Sequence, residues 1–124
     1  MLSSFQVTKN LTSQEIECPC CKDCRYDQKF VDYLQILRDI MQIPFVYSSF
    51  FRCKFYNDSL TNSSPVSKHL MGLACDIKTN DWTANQKWRF VRAAMGLGIS
   101  CGLYSAHLHV DLRKGDPSLF YGSY

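Results

Sequence analysis

The chain has 124 residues, 46% hydrophobic and 20% charged, with a formal net charge of +3. That length buries roughly two-thirds of the unfolded surface, so one globular domain over residues 1–124 is expected, without a need for disulfides. The charge is too small to argue for a nucleic-acid partner, and no stretch nears the about 18 consecutive apolar residues of a membrane span.

Met1 to Lys9 carry neither the basic flank nor the apolar run of a secretory signal, which implies synthesis in a cytoplasm and retention there until release. Seven cysteines is an odd number, so they cannot all pair within the chain. Four of them crowd together as Cys18, Cys20, Cys21 and Cys24. A structural zinc takes two Cys-x-x-Cys knuckles from separate segments, and here Cys21 would have to serve in both. The spacing therefore argues against a second metal ion at Cys18, Cys20, Cys21 and Cys24, and reduced thiols are expected without an export signal. Cys75 and Cys101 lie in apolar, strand-like contexts and read as small buried hydrophobes.

Asp27 is placed to cap a helix over residues 28–41, with Phe30, Leu34, Leu37, Ile40 and Met41 as its apolar stripe. Pro44 forces an extended exit into Phe45, Val46, Tyr47 and Ser48. Residues 58–66 are turn formers and read as a loop delivering His69. Gly72 lets the chain turn into an alternating strand, Leu73 to Ile77.

Thr83 and Gln86 form a capping box for a second helix, with Trp88, Val91, Arg92 and Met95 along it and Gly96 and Gly98 at its end. Ile99–Leu103 and His107–Leu112 predict a hairpin joined by Tyr104, Ser105 and Ala106. The tail, residues 114–124, has no period and is expected to be irregular. These elements predict a small α+β domain, helices against a mostly antiparallel sheet.

All three histidines fall in two short segments, Ser67 to Asp76 and His107 to Asp111. Alternation puts His107, His109 and Asp111 on one strand face and Leu108, Val110 and Leu112 on the other. Asp76 likewise leaves the opposite side of its strand from Leu73, Cys75 and Ile77. His69, Asp76 and His109 are the candidate metal ligands, because a catalytic zinc takes three nitrogen and oxygen ligands and keeps its fourth position for water.

Ser67-x-His69-x-x-Gly72-x-Ala74-x-Asp76, followed by His107-x-His109-Val110-Asp111, resembles the zinc D-alanyl-D-alanine carboxypeptidase family. That family also contains murein endopeptidases and bacteriophage endolysins, with hedgehog domains as relatives. The likeness extends upstream through Cys20-Cys21, the helical stretch to Met41, and Ser49 through Arg52-Cys53 to Asn57. It also implies that one or two thiols of the cysteine cluster pack against Cys53.

The resemblance implies a hedgehog-like fold and metal-assisted amide hydrolysis, with one zinc ion held by His69, Asp76 and His109 polarising the scissile carbonyl and activating water. Arg52 would hold a substrate carboxylate or the developing oxyanion, and His107 would hydrogen-bond the tetrahedral intermediate or move a proton. Ser67 is expected to orient the loop or the ligands, and Asp111 to anchor His107 or a neighbouring turn.

Two departures stand out. Many relatives carry a carboxylate three residues before the last ligand, where this chain has Ala106, and hedgehog relatives carry a glutamate where it has Leu103. The base would then be His107, Asp111 or a carboxylate folded in from elsewhere, such as Asp81. Phe50 stands where the family has Gly. The expected function is a zinc peptidoglycan peptidase, acting as a monomer on a wall peptide next to a D-residue. It would be a phage protein working from the host cytoplasm at lysis or carried in the virion. The alternative is a zinc-containing, hedgehog-like binding domain that does not hydrolyse.

Overall fold

The computed structural model describes residues 4–60 and 67–122. A hairpin of β1 (Gln6–Thr8) and β2 (Leu11–Thr12) leads into the single-turn helix α1 (Ser13–Ile16), and the cysteine-rich segment then reaches α2 (Gln28–Met41). β3 (Tyr47–Ser49), α3 (Lys54–Ser59), a 3-10 turn at Lys68–Met71 and β4 (Ala74–Lys78) follow. The chain continues through α4 (Ala84–Gly96), β5 (Ile99–Leu103), β6 (His107–Leu112) and β7 (Leu119–Tyr121).

α2 starts where its cap predicts, with the Asp27 carboxylate accepting from the Phe30 N–H at 2.9 Å. Its buried face is Phe30, Val31, Leu34, Leu37 and Met41. Ile40 is 47% exposed, contrary to the expected stripe. At 3.6 residues per turn it sits about 80° from Phe30, on the side away from Val31. α4 carries the expected Thr83/Gln86 capping box. Its buried residues are Phe90, Val91 and Ala94, while Trp88 and Arg92 face solvent. α4 packs on both α2 and β5, and these neighbours select that face.

The five-stranded sheet has the order β3-β4-β6-β5-β7, and every pair is antiparallel except β5 with β7. The fold is α+β. Register sorts the side chains into two faces. Cys75, Val110 and Cys101 lie opposite one another and are fully buried in the core with Phe30, Phe90 and Ile99. One step along, Asp76, His109 and Gly102 form the corresponding row on the other face.

The tail departs from expectation, because Leu119–Tyr121 pairs with β5 as a parallel edge strand. The pairing depends on Gly102, where a Cβ would lie 2.4 Å from the Phe120 ring. Ser118 is tied in as well, its N–H donating to Ser100 Oγ at 2.8 Å. Other elements carry no strong local signal and are absent from the sequence reading: β1, β2, α1 and α3. Asp58 and Ser59, expected in the loop, end α3, and residues 61–66 of that loop lie outside the described residues.

Candidate metal centre

Three elements deliver the three candidate ligands. His69 rides on the 3-10 turn, which Ser67 caps by accepting the His69 N–H on its Oγ at 3.2 Å. Ser67 thus caps the turn that carries His69. Gly72 closes the turn with φ +68, and a Cβ there would come within 2.6 Å of the Arg25 carbonyl oxygen. Asp76 and His109 are direct cross-strand partners on β4 and β6.

One ligand atom from each of His69, Asp76 and His109 lies within 4.8 Å of the others. His69 Nε2 is 3.5 Å and His109 Nδ1 3.0 Å from the same oxygen, Asp76 Oδ1. Ligands at the edges of a zinc tetrahedron with nitrogen and oxygen donors are about 3.4 Å apart.

The hydrogen bonds around this triangle settle which nitrogen faces inward. His69 Nδ1 is 2.6 Å from the Phe50 carbonyl oxygen, which can only accept, so Nδ1 donates there and Nε2 is the nitrogen that faces Asp76. His109 Nε2 is 2.8 Å from Asp111 Oδ2, and that carboxylate also accepts from Arg113 Nε at 2.8 Å. Each imidazole thus has its outer nitrogen tied to an acceptor and its inner nitrogen aimed at a carboxylate. An electron-rich triangle of this kind fits a divalent cation, and two histidines with one aspartate is a donor set of the catalytic zinc type.

The electrostatics of these side chains agree. Burial alone would raise Asp76, but hydrogen bonds from His109 and His69 outweigh it and hold the carboxyl well below the usual range. Burial would lower His109, yet its bonds to Asp111 and Asp76 push it up to about 9.

Arg52 reaches Asp76 Oδ2 with Nη2 at 3.4 Å, and its fork is anchored on Ser49 Oγ at 3.0 Å and Asn57 Oδ1 at 3.3 Å. Only 12% of the Arg52 side chain is exposed, so this ion pair is not a surface one. His107 shares the face of His109 and stacks on Tyr104 with ring centroids 4.4 Å apart. Burial lowers its pKa, and the charges of Asp76, His109, His69 and Arg52 all act on it.

Asp111 anchors His109. Two steps along a strand span about 7 Å and four about 13 Å, so His109 is the nearer of the strand's two histidines. With Arg113 on its other side, Asp111 is committed and poorly placed to serve as a base. Asp81 is solvent-exposed at the approach to α4.

Several site residues escaped the sequence reading. Arg113 extends the alternation of His107, His109 and Asp111 by one more step, a signal that was available. Phe120 has no local signal. It reaches the site only because β7 pairs with β5, which sets its ring 5.8 Å from that of His109 and 5.7 Å from the Arg113 guanidinium.

Thiols of the cysteine cluster pack against Cys53, as the resemblance implies, and more of them do so than the one or two expected. Cys18, Cys20 and Cys21 gather with Cys53, their sulfurs all within 4.8 Å of one another, and Cys24 is not among them.

A family model described as Peptidase M15 matches residues 4–111, a span that takes in every candidate ligand, Arg52 and the cysteine cluster. No curated protein matches the chain.

Proposed function

Because this chain belongs to the peptidase M15 family, we propose that it is a zinc-dependent peptidoglycan peptidase, cutting a peptide bond next to a D-residue in the wall stem or cross-link. The observation that carries the reading is the pair of inward imidazole nitrogens, 3.0 and 3.5 Å from one carboxylate oxygen. Zinc held by His69, Asp76 and His109 would supply a Lewis acid for the scissile carbonyl and an acidified water.

The chain's own residues supply the rest. Arg52 steadies Asp76 and places a fixed cation beside the reacting carbonyl, where it favours a substrate carboxylate or the developing negative charge. His107, neutral at pH 7 through burial, takes a proton from the attacking water and returns it to the leaving amine. The Phe120 ring bounds the site on the β7 side. The resemblance to short bacteriophage enzymes supports an endolysin role, with release from the host cytoplasm to the wall, or carriage in the virion for genome delivery.

Purified protein loaded with zinc, incubated with peptidoglycan, is expected to release new amino termini, and fragments of a defined muropeptide identify the bond by mass spectrometry. The uncharged Ala106 and Leu103 favour one competing reading, a zinc-containing domain that binds a wall peptide without cutting it. Retained wall binding with no released amino terminus would establish that alternative.

A further inference from the structure

The second candidate metal-binding cluster, made of sulfurs, lies outside the chemistry described above. Cys18, Cys20, Cys21 and Cys53 present four sulfurs within 4.8 Å of one another, and none of the four is in a disulfide. Four thiolates around a tetrahedral zinc at about 2.3 Å lie about 3.8 Å apart. Within the cluster, Cys20 Sγ and Cys53 Sγ are 3.4 Å apart.

The objection from spacing was that Cys21 cannot serve in two knuckles. The fold removes it by bringing the fourth sulfur from a segment more than thirty residues away. Cys18-x-x-Cys21 is one knuckle, Cys20 sits within it, and Cys53 closes the set.

The backbone is arranged for thiolates. The Cys53 N–H donates to the Cys18 sulfur at 3.5 Å. The Tyr56 N–H donates to Cys53 Sγ at 3.4 Å. Neutral thiols are weak acceptors, whereas thiolates attract such donors. The turn carrying the first three cysteines is closed by the Lys22 N–H on the Cys18 carbonyl at 2.9 Å and the Cys18 N–H on the Asp23 carbonyl at 2.8 Å. Cys18 is buried while Cys20 and Cys21 are exposed, so an ion reaches the cluster from solvent.

We propose that Cys18, Cys20, Cys21 and Cys53 hold a second, structural zinc ion in an all-sulfur tetrahedral site. Loading exchanges four thiol protons for one Zn²⁺ with no change of oxidation state. All four positions are filled by protein, so the ion has no place for water and acts as a staple.

What it staples is adjacent to the first site. Cys53 follows Arg52, whose guanidinium meets Asp76, and Phe50, three residues earlier, supplies the carbonyl that orients His69. The Phe51 N–H already donates to the Ile16 carbonyl at 2.9 Å. The ion would lock the N-terminal segment to this stretch and so hold Arg52 and the Phe50 carbonyl in register.

The test uses the full chain, purified reduced and titrated with Co²⁺ and Zn²⁺. Wild-type protein is expected to bind two equivalents, and Co²⁺ to give strong thiolate-to-cobalt charge-transfer absorption. The Asp76→Ala/His109→Ala variant, lacking the first site, should keep one equivalent and the whole charge-transfer band. Cys20→Ser/Cys21→Ser should lose both that band and one equivalent. The spectrum of wild-type protein decides even where the serine variant fails to fold. Absence of thiolate-to-cobalt bands, or a Cys20–Cys53 disulfide in protein purified under reducing conditions, overturns the proposal. Neither readout depends on peptidase activity, so its failure is separate from failure of the proposed function.

Discussion

Asp111 Oδ2 lies 2.8 Å from His109 Nε2, and this one contact decides that Nδ1, the other ring nitrogen, faces Asp76. The same carboxylate is held from behind by Arg113 and is 99% shielded from solvent. An imidazole tied in this way keeps both its tautomer and its ring orientation when a cation arrives.

Replacing Asp111 by Asn should therefore weaken zinc at the His69/Asp76/His109 site by about 10- to 100-fold. Competition with a chromophoric chelator in a chain already lacking Cys20 and Cys21 measures this directly. Unchanged affinity would show that His109 is oriented by packing alone.

His107 makes a different prediction. It faces the site yet is not one of the three ligands, so His107→Ala should retain its zinc content while hydrolysis falls by about 10²- to 10⁴-fold. Loss of metal together with activity would instead place His107 in the coordination set.

In the metal-free chain, His109 ties stability to pH. Its pKa rises from 6.5 to about 9 on folding, so the stabilisation it brings is complete below pH 6.5 and disappears as pH climbs through 9. The difference in Tm between metal-free wild-type and metal-free His109→Gln protein should shrink over that interval. Taking the difference cancels the other groups that titrate there. A constant gap would mean that the His109 proton contributes nothing.

Gly102 tests the β7 wall. A Cβ at this position would fall 2.4 Å from the Phe120 ring, so Gly102→Ala should push Phe120 off the sheet at a cost of about 1–3 kcal/mol. Denaturant titration reads the stability. Phe120→Ala, which removes the clash, should restore much of the loss in the double variant, and failure to do so would exclude the ring as the obstacle.

At Gly72 a side chain would strike main chain, not a movable ring. With φ +68 and the Arg25 carbonyl 2.6 Å from the added Cβ, Gly72→Ala should cost more than about 1 kcal/mol and weaken zinc binding through displacement of His69. Metal affinity equal to that of the wild type would separate this turn from the site.

Much of the site was legible before folding, because a strand's period of two is a local property. From it, His107, His109 and Asp111 share a face whatever the rest of the chain does, and Asp76 is set apart from Cys75 and Ile77. The caps at Asp27 and Thr83 marked their helices for the same reason, since a side chain bonding an N–H two or three residues on needs no distant partner. The buried faces of those helices were less legible. Ile40 and Trp88 are apolar, but which flank of a helix meets the sheet depends on the neighbours it packs against.

The α+β pattern, the two long helices, the hairpin and the candidacy of His69, Asp76 and His109 were all readable from local patterns of residues. Folding added what no local pattern carries: Cys18, Cys20 and Cys21 all meet Cys53 while Cys24 stays outside the cluster, Leu119–Tyr121 becomes an edge strand, and Phe120 walls the site. The physical reason is range. Caps and alternation are written in dihedral angles within a few residues, whereas the partner of a thiol or of a strand edge is chosen by chain closure over tens of residues, where letters alone carry no distance.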